Sequence, residues 1–167
     1  SATFKAIIEA ACKMGKEIGV VIGESRPSWE GRQLAKQLGQ FGVATTLVVD
    51  AALLQMLPEC TKVLVGADWI DRHLFANKVG TLSLALGAQH ADKEFWIAAE
   101  TSKIVDDPST PFVCKSRHPP QEVWAEETEN VLIENIYFDS IPLELVTGLI
   151  CEKGILPRDT LPTLFEG

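Results

Sequence analysis

Apolar residues recur at helical spacing at the start of the chain: Phe4, Ile7, Ile8, Ala11 and Cys12 share one face, and the series stops at Gly15. The next apolar block, residues 18–22, is short and continuous, as a buried strand is. The alternation then repeats. The pattern predicts a helix around residues 33–38, a strand over 43–49, a short helix over 51–57 and a strand over 62–65. A helix over about 80–91 and a strand over 95–98 follow. Strands apolar throughout their length are covered on both faces, and helices between them are the crossovers that parallel pairing needs. The predicted fold is α/β: a single Rossmann-like domain over residues 1–167, doubly wound, with a mainly parallel sheet and helices on both faces.

From residue 105 to 128 the pattern fails, because Asp106, Asp107, Pro108, Pro111, Pro119 and Pro120 punctuate it and acids crowd its end. A long loop is expected there. Regular structure should resume with an apolar stretch over 131–138 and a helix over 142–153 that Gly154 stops.

Composition narrows the classes. The 167 residues are 46% hydrophobic, enough for one core and too few for two comfortable domains. Fifteen basic against 23 acidic residues give a formal charge of −8, which repels a phosphate backbone and argues against direct nucleic-acid binding. Cys12, Cys60, Cys114 and Cys151 form no CxxC pair and have no His at zinc spacing, so no metal is expected. They read as reduced thiols, three of them packing residues. No apolar run approaches the roughly 20 residues that cross a bilayer, and no cleavable signal opens the chain, so no membrane partner is expected and cytoplasm is the default location. Neither GxGxxG nor a Walker A motif is present, and no cofactor is expected.

In open α/β sheets ligands sit beyond the carboxyl ends of the strands. Glu24, Asp50, Asp68 and Glu100 each follow a predicted strand, which puts four carboxylates on one rim. Asp50, directly ahead of the helix over 51–57, reads as its N-cap. Asp68 precedes an irregular loop, residues 69–76, so capping does not account for it. After that loop Asn77, Lys78, Gly80 and Thr81 lead into an apolar helix. A cation beside free backbone N–H groups at a helix start suits a phosphate; the plainer alternative is a solvated lysine and a glycine that permits close packing. Residues 23–32 form a polar loop in which the planar guanidinium of Arg26 suits a phosphate or carboxylate, or else pairs with Glu24. Trp29 reads as a cover for the sheet edge. His73, His90 and His118 carry no motif.

Glu24-Ser25-Arg26-Pro27 followed by Glu30-Gly31, then Gly66-Ala67-Asp68, then Asn77-Lys78-Val79-Gly80-Thr81, resembles in order and spacing the signature of one family. It unites translation initiation factor 2B subunits with methylthioribose-1-phosphate and ribose-1,5-bisphosphate isomerases. The resemblance runs on through Ala98-Ala99-Glu100-Thr101 and Phe138-Asp139 to residues 151–157. It implies that Asp68 is catalytic, as the Asp of the isomerases' Gly-Ala-Asp motif is, and that Asn77 and Lys78 contact substrate. Arg26, Glu30 and Gly80 are carried as further substrate-binding candidates. The isomerases' catalytic cysteine has no counterpart: Ser1 falls just after its segment, and the family's helical N-terminal domain is absent from residues 1–167. Glu30 stands where the isomerases have a substrate-contacting Gln, and Asp71-Arg72-His73 replaces a common Asn-Gly turn.

Two functions follow from the resemblance. The first is an initiation-factor-like regulatory and assembly domain that binds a phosphorylated sugar or nucleotide. The alternative is the catalytic half of an aldose–ketose sugar-phosphate isomerase, inactive without the missing part. Because family members pair through this domain, and because Leu143, Leu145, Val146, Leu149 and Ile150 give the predicted last helix more apolar surface than one sheet face needs, a homodimer or an oligomer of related subunits is expected.

Overall fold

The computed structural model describes residues 2–106, 118–126 and 128–165. Helix α1 (Ala2–Lys13) ends where Gly15 turns left-handed at φ 71°, and Lys16 N–H returns to the carbonyl of Ala11. Strand β1 (Gly19–Gly23), helix α2 (Glu30–Gln40) and strand β2 (Ala44–Val48) form a parallel crossover, with Gly19 opposite Ala44 and Gly23 opposite Val48. Leu38 of α2 closes over Ile22 and Val43, and α1 adds Phe4, Ile8 and Cys12 to this smaller core.

A short helix α3 (Leu53–Met56) leads to β3 (Lys62–Val65), β4 (Trp69–Ile70), β5 (Leu74–Lys78), α4 (Thr81–His90) and β6 (Glu94–Ala98). Further on come β7 (Phe138–Pro142), β8 (Gly148–Cys151), β9 (Gly154–Pro157) and a closing 3-10 stretch, Arg158–Phe165. Strands β3 and β6 are parallel, as the continuous apolar runs predict, and β8, in a segment expected to be helical, pairs with β6 in the same sense. The larger core sits under them. Phe75, Phe95, Ile97, Ile141 and Leu149 are its fully buried large side chains, each stabilising the fold by about 1.5–3 kcal/mol relative to exposure.

Several expectations are corrected. The hydrogen-bond ladders of the described residues form three sheets, β1–β2, β3–β6–β8–β9 and β4–β5–β7, and the last is antiparallel. Its origin lies in residues 69–76, expected to be an irregular loop. The Asp71 carboxylate accepts the N–H groups of His73 and Leu74, both at 2.7 Å, and this side-chain turn folds the segment into a hairpin. Residues 131–137 are not a strand, and pairing begins at Phe138, where β5 offers a partner.

The helix expected over 142–153 is the largest miss. That segment is one 3-10 turn, Leu143–Leu145, then β8 and a hairpin into β9. A Cβ at Gly148 would strike the Leu156 carbonyl and lie 2.6 Å from the Trp96 ring, so β8 is wedged between its two neighbours. Gly154, at φ 117°, starts the returning strand instead of stopping a helix. Leu143, Val146 and Leu149, expected to leave a surplus apolar face for self-association, are buried inside the core. Among the thiols, Cys151 is buried and Cys12 and Cys60 are half-buried; Cys114 lies outside the described residues. No described helix is long and apolar enough to cross a membrane.

Candidate functional site

The antiparallel sheet assembles the acids and amides that sequence spacing keeps apart. Trp69 pairs with Ala76, and just before β4 the Asp68 N–H also donates to the Ala76 carbonyl at 2.8 Å, which ties Asp68 to β5. Asn77 in turn pairs with Asp139 on β7. Directly opposite residues project from the same sheet face, so Asn77 and Asp139 lie side by side near the start of α4.

That helix start is already occupied by a carboxylate. Asp139 Oδ2 accepts the N–H of Gly80 at 2.8 Å and of Leu82 at 3.0 Å. Asn77 Nδ2 donates to Thr81 Oγ1 at 2.9 Å, and the Thr81 hydroxyl donates to the Lys78 carbonyl at 2.6 Å. The backbone donors that the sequence suggested for a phosphate therefore serve an internal anion, and Gly80, at φ 95°, shapes the turn that allows it. Asp68 differs from its neighbours. Its side chain is exposed, and its carboxylate accepts no hydrogen bond among the described residues.

Lys78 is only 21% exposed, and its ammonium is fully engaged. Nζ lies 2.8 Å from Ser28 Oγ, 3.1 Å from Glu30 Oε1 and 4.4 Å from the centre of the Tyr137 ring. Tyr137 is held in turn. Its hydroxyl donates to Glu122, which also accepts Asn135 Nδ2 at 2.7 Å, and the His118 ring stacks on it at 3.5 Å and 10°. The hydroxyl bond, followed by the Asn135 amide, holds the Glu122 carboxyl below the usual carboxylate range; the same hydroxyl bond raises the Tyr137 phenol above its ordinary value.

The loop between β1 and α2 presents Ser28 and Glu30. A Cβ at Gly31 would collide with the Gly23 carbonyl oxygen, so glycine alone lets the first turn of α2 rest on the end of β1 and put Glu30 beside Lys78. Asp50 does not cap a helix. Its carboxylate accepts the N–H groups of Ser25 and Arg26, both at 2.7 Å, and ties the loop to the end of β2. Glu24 pairs with Arg32 at 2.8 Å and not with Arg26. Arg26 donates to the Val123 carbonyl at 3.1 Å, and Arg26 and Arg32 both lie over the Trp29 ring, 4.6 and 3.5 Å from its centre. The carboxylate of Glu100, fourth of the expected rim, accepts a 3.4 Å bond from Ser102, while Glu152 takes the N–H and hydroxyl of Thr101.

Sequence reasoning thus missed Ser28, Glu122, Asn135, Tyr137 and the role of Asp139. Their chemistry is ordinary in isolation, and only the pairing of β5 with β7 brings residues 135–139 to Lys78. Two clefts lie away from this cluster. One, of about 360 Å³, is lined by Ile8, Cys12, Leu38 and Phe41; the other, of about 130 Å³, by Arg72, Leu143, Arg158 and Phe165. No group of three or more His, Cys, Asp or Glu among the described residues is placed to hold a metal ion.

Comparison with known proteins gives this arrangement a lineage. Ribose 1,5-bisphosphate isomerase of Archaeoglobus fulgidus is 36% identical over 159 residues, which cover 92% of this chain and 50% of that protein. The crystal structure of translation initiation factor eIF-2B, subunit delta, from A. fulgidus superposes with a TM-score of 0.87 at 29% identity, covering 97% of this chain and 51% of that one. That of 5-methylthioribose 1-phosphate isomerase from Pyrococcus horikoshii OT3 superposes with a TM-score of 0.83 at 26% identity, covering 96% and 48%. The chain spans about half the length of the relatives it matches. Residues 1–158 match the family model, and the chain belongs to the Initiation factor 2 subunit family.

Proposed function

We propose that this chain forms the sugar-phosphate-binding and Asp68-bearing part of an aldose–ketose isomerase that acts on ribose 1,5-bisphosphate or a close analogue. The sequence put a regulatory module first; the named isomerases among its relatives, at up to 36% identity, favour the alternative. The observation that carries the reading is Asp68. Asp139, Glu30 and Glu122 are committed to backbone, lysine or tyrosine, whereas the Asp68 carboxylate stands exposed with no internal partner among the described residues. An aldose–ketose conversion moves hydrogen between adjacent carbons and needs acid–base groups held in register with the substrate. In this reading Asp68 exchanges a proton with a sugar oxygen, and the Lys78 ammonium donates to the sugar.

Calorimetric titration of the purified protein with ribose 1,5-bisphosphate tests this. Lys78→Ala should weaken binding by about tenfold or more, the usual worth of a hydrogen bond to a charged group. Asp68→Asn should leave affinity nearly unchanged and, once the chain is joined to the helical N-terminal half of such an isomerase, lower turnover by about a hundredfold or more. Equal affinity in Lys78→Ala, or full turnover in Asp68→Asn, refutes the reading. One observation favours the regulatory reading: Lys78 is already neutralised by Glu30. Under that reading the ligand binds, no turnover occurs in any form of the protein, and Asp68→Asn is silent.

A further inference from the structure

We infer that Glu30 sets the kind of group admitted at Lys78, favouring a sugar hydroxyl and disfavouring a phosphate dianion. The inference rests on the sugar-phosphate reading above and deepens it. An ammonium has three N–H donors, and here they face Ser28 Oγ, Glu30 Oε1 and the Tyr137 ring. Two of those supports are fixed by the fold. Ser28 is half-buried in the loop that Asp50 ties down, and Tyr137 is pinned by Glu122 on one side and His118 on its face. Glu30 is the exchangeable one: its side chain is 58% exposed on the first turn of α2. An incoming ligand must reach Lys78 by sharing or displacing the Glu30 carboxylate.

The two ligand chemistries behave differently at that point. A hydroxyl both donates and accepts, so it can bridge a lysine donor and a carboxylate acceptor that lie 3.1 Å apart without breaking their charge balance. A phosphate dianion only accepts. It takes Lys78 but is repelled by Glu30 at hydrogen-bond range, and the other anion-binding feature nearby, the start of α4, is already filled by Asp139. Lys78 is thereby reserved for the hydroxyl-bearing part of a sugar phosphate.

Glu30→Gln tests this with little change of shape, because it removes the charge and adds a donor. Inorganic phosphate and ribose 1,5-bisphosphate are each titrated into the parent, Glu30→Gln and Lys78→Ala proteins, with circular dichroism to verify folding. Glu30→Gln should bind inorganic phosphate about threefold to tenfold more tightly than the parent at low ionic strength, with the gain shrinking toward 0.5 M salt as the charge is screened. Its preference for ribose 1,5-bisphosphate over inorganic phosphate should fall by a similar factor. Phosphate affinity in Glu30→Gln no higher than in the parent, including no binding by either, overturns the inference. The two readings fail separately: if Lys78→Ala leaves ribose 1,5-bisphosphate binding intact, the proposed function is wrong. If Lys78→Ala weakens it and Glu30→Gln gains nothing for phosphate, only the role of Glu30 is wrong.

Discussion

Removing the Asp139 carboxylate should destabilise the fold and, at the same time, convert the start of α4 into a site for external anions. Asp139 Oδ2 satisfies two backbone N–H groups, of Gly80 and Leu82, at the positive end of a ten-residue helix. In Asp139→Ala both lose their acceptor. Loss of a side-chain cap costs about 0.5–2 kcal/mol. Loss of a negative charge at a helix N-terminus adds about 0.3–1 kcal/mol. The expected total is about 1–3 kcal/mol. Asp139→Asn keeps an acceptor and loses only the charge, so it should fall between Ala and the parent. Urea denaturation resolves the series, since at a slope of roughly 2 kcal/mol per molar a 2 kcal/mol loss moves the midpoint by about 1 M. Added phosphate, against a chloride control of equal ionic strength, should then raise the midpoint of Asp139→Ala more than that of the parent, because an anion that binds the native state stabilises it by mass action. An Asp139→Ala midpoint within error of the parent, or equal phosphate responses in both, would refute the reasoning that an internal anion fills this helix start.

Two further outcomes follow from the packing. Tyr137 is the only tyrosine of the chain, so phenolate absorbance reads it alone; it should titrate above the ordinary phenol value of about 10, and Glu122→Gln should bring it down. Linkage fixes the signs. The raised phenol contributes stability that is present below its unfolded pKa and lost as pH rises through the folded one, whereas the lowered Glu122 contributes stability present above its unfolded pKa and lost as pH falls through the folded one. Tyr137→Phe should flatten both limbs of a stability profile, and an unchanged profile would show that the pair is not formed. Gly31→Ala should cost about 3 kcal/mol or more in thermal or urea unfolding, because its methyl must push α2 off the Gly23 carbonyl; a loss below about 1 kcal/mol would mean that the helix start yields easily.

Much of the frame is legible in the chain itself. Continuous apolar runs such as Val63, Leu64 and Val65, set between helices, announce parallel strands, and β1 with β2 and β3 with β6 pair in that way. The ordered segments around Glu24, Asp68 and Asn77-Lys78 resemble the family signature, and residues 1–158 match the family model. What stayed hidden depends on which strand finds which partner. Residues 142–153 carry apolar positions compatible with a helix, yet Gly148 lies pressed between β6 and β9, a placement that only a strand satisfies. Glu24 had Arg26 close by in sequence and pairs with Arg32, one helical turn into α2, because the loop turns Arg26 toward Val123. Asp139 could be recognised as a motif residue but not as the cap of α4, nearly sixty positions earlier, and Tyr137 offered no spacing at all. Local sequence sets periodicity and turn chemistry, which act over a few residues. The contact of Lys78 with Tyr137 is set by the register of β5 on β7, a long-range choice made by the burial of Phe75 and Ile141 together.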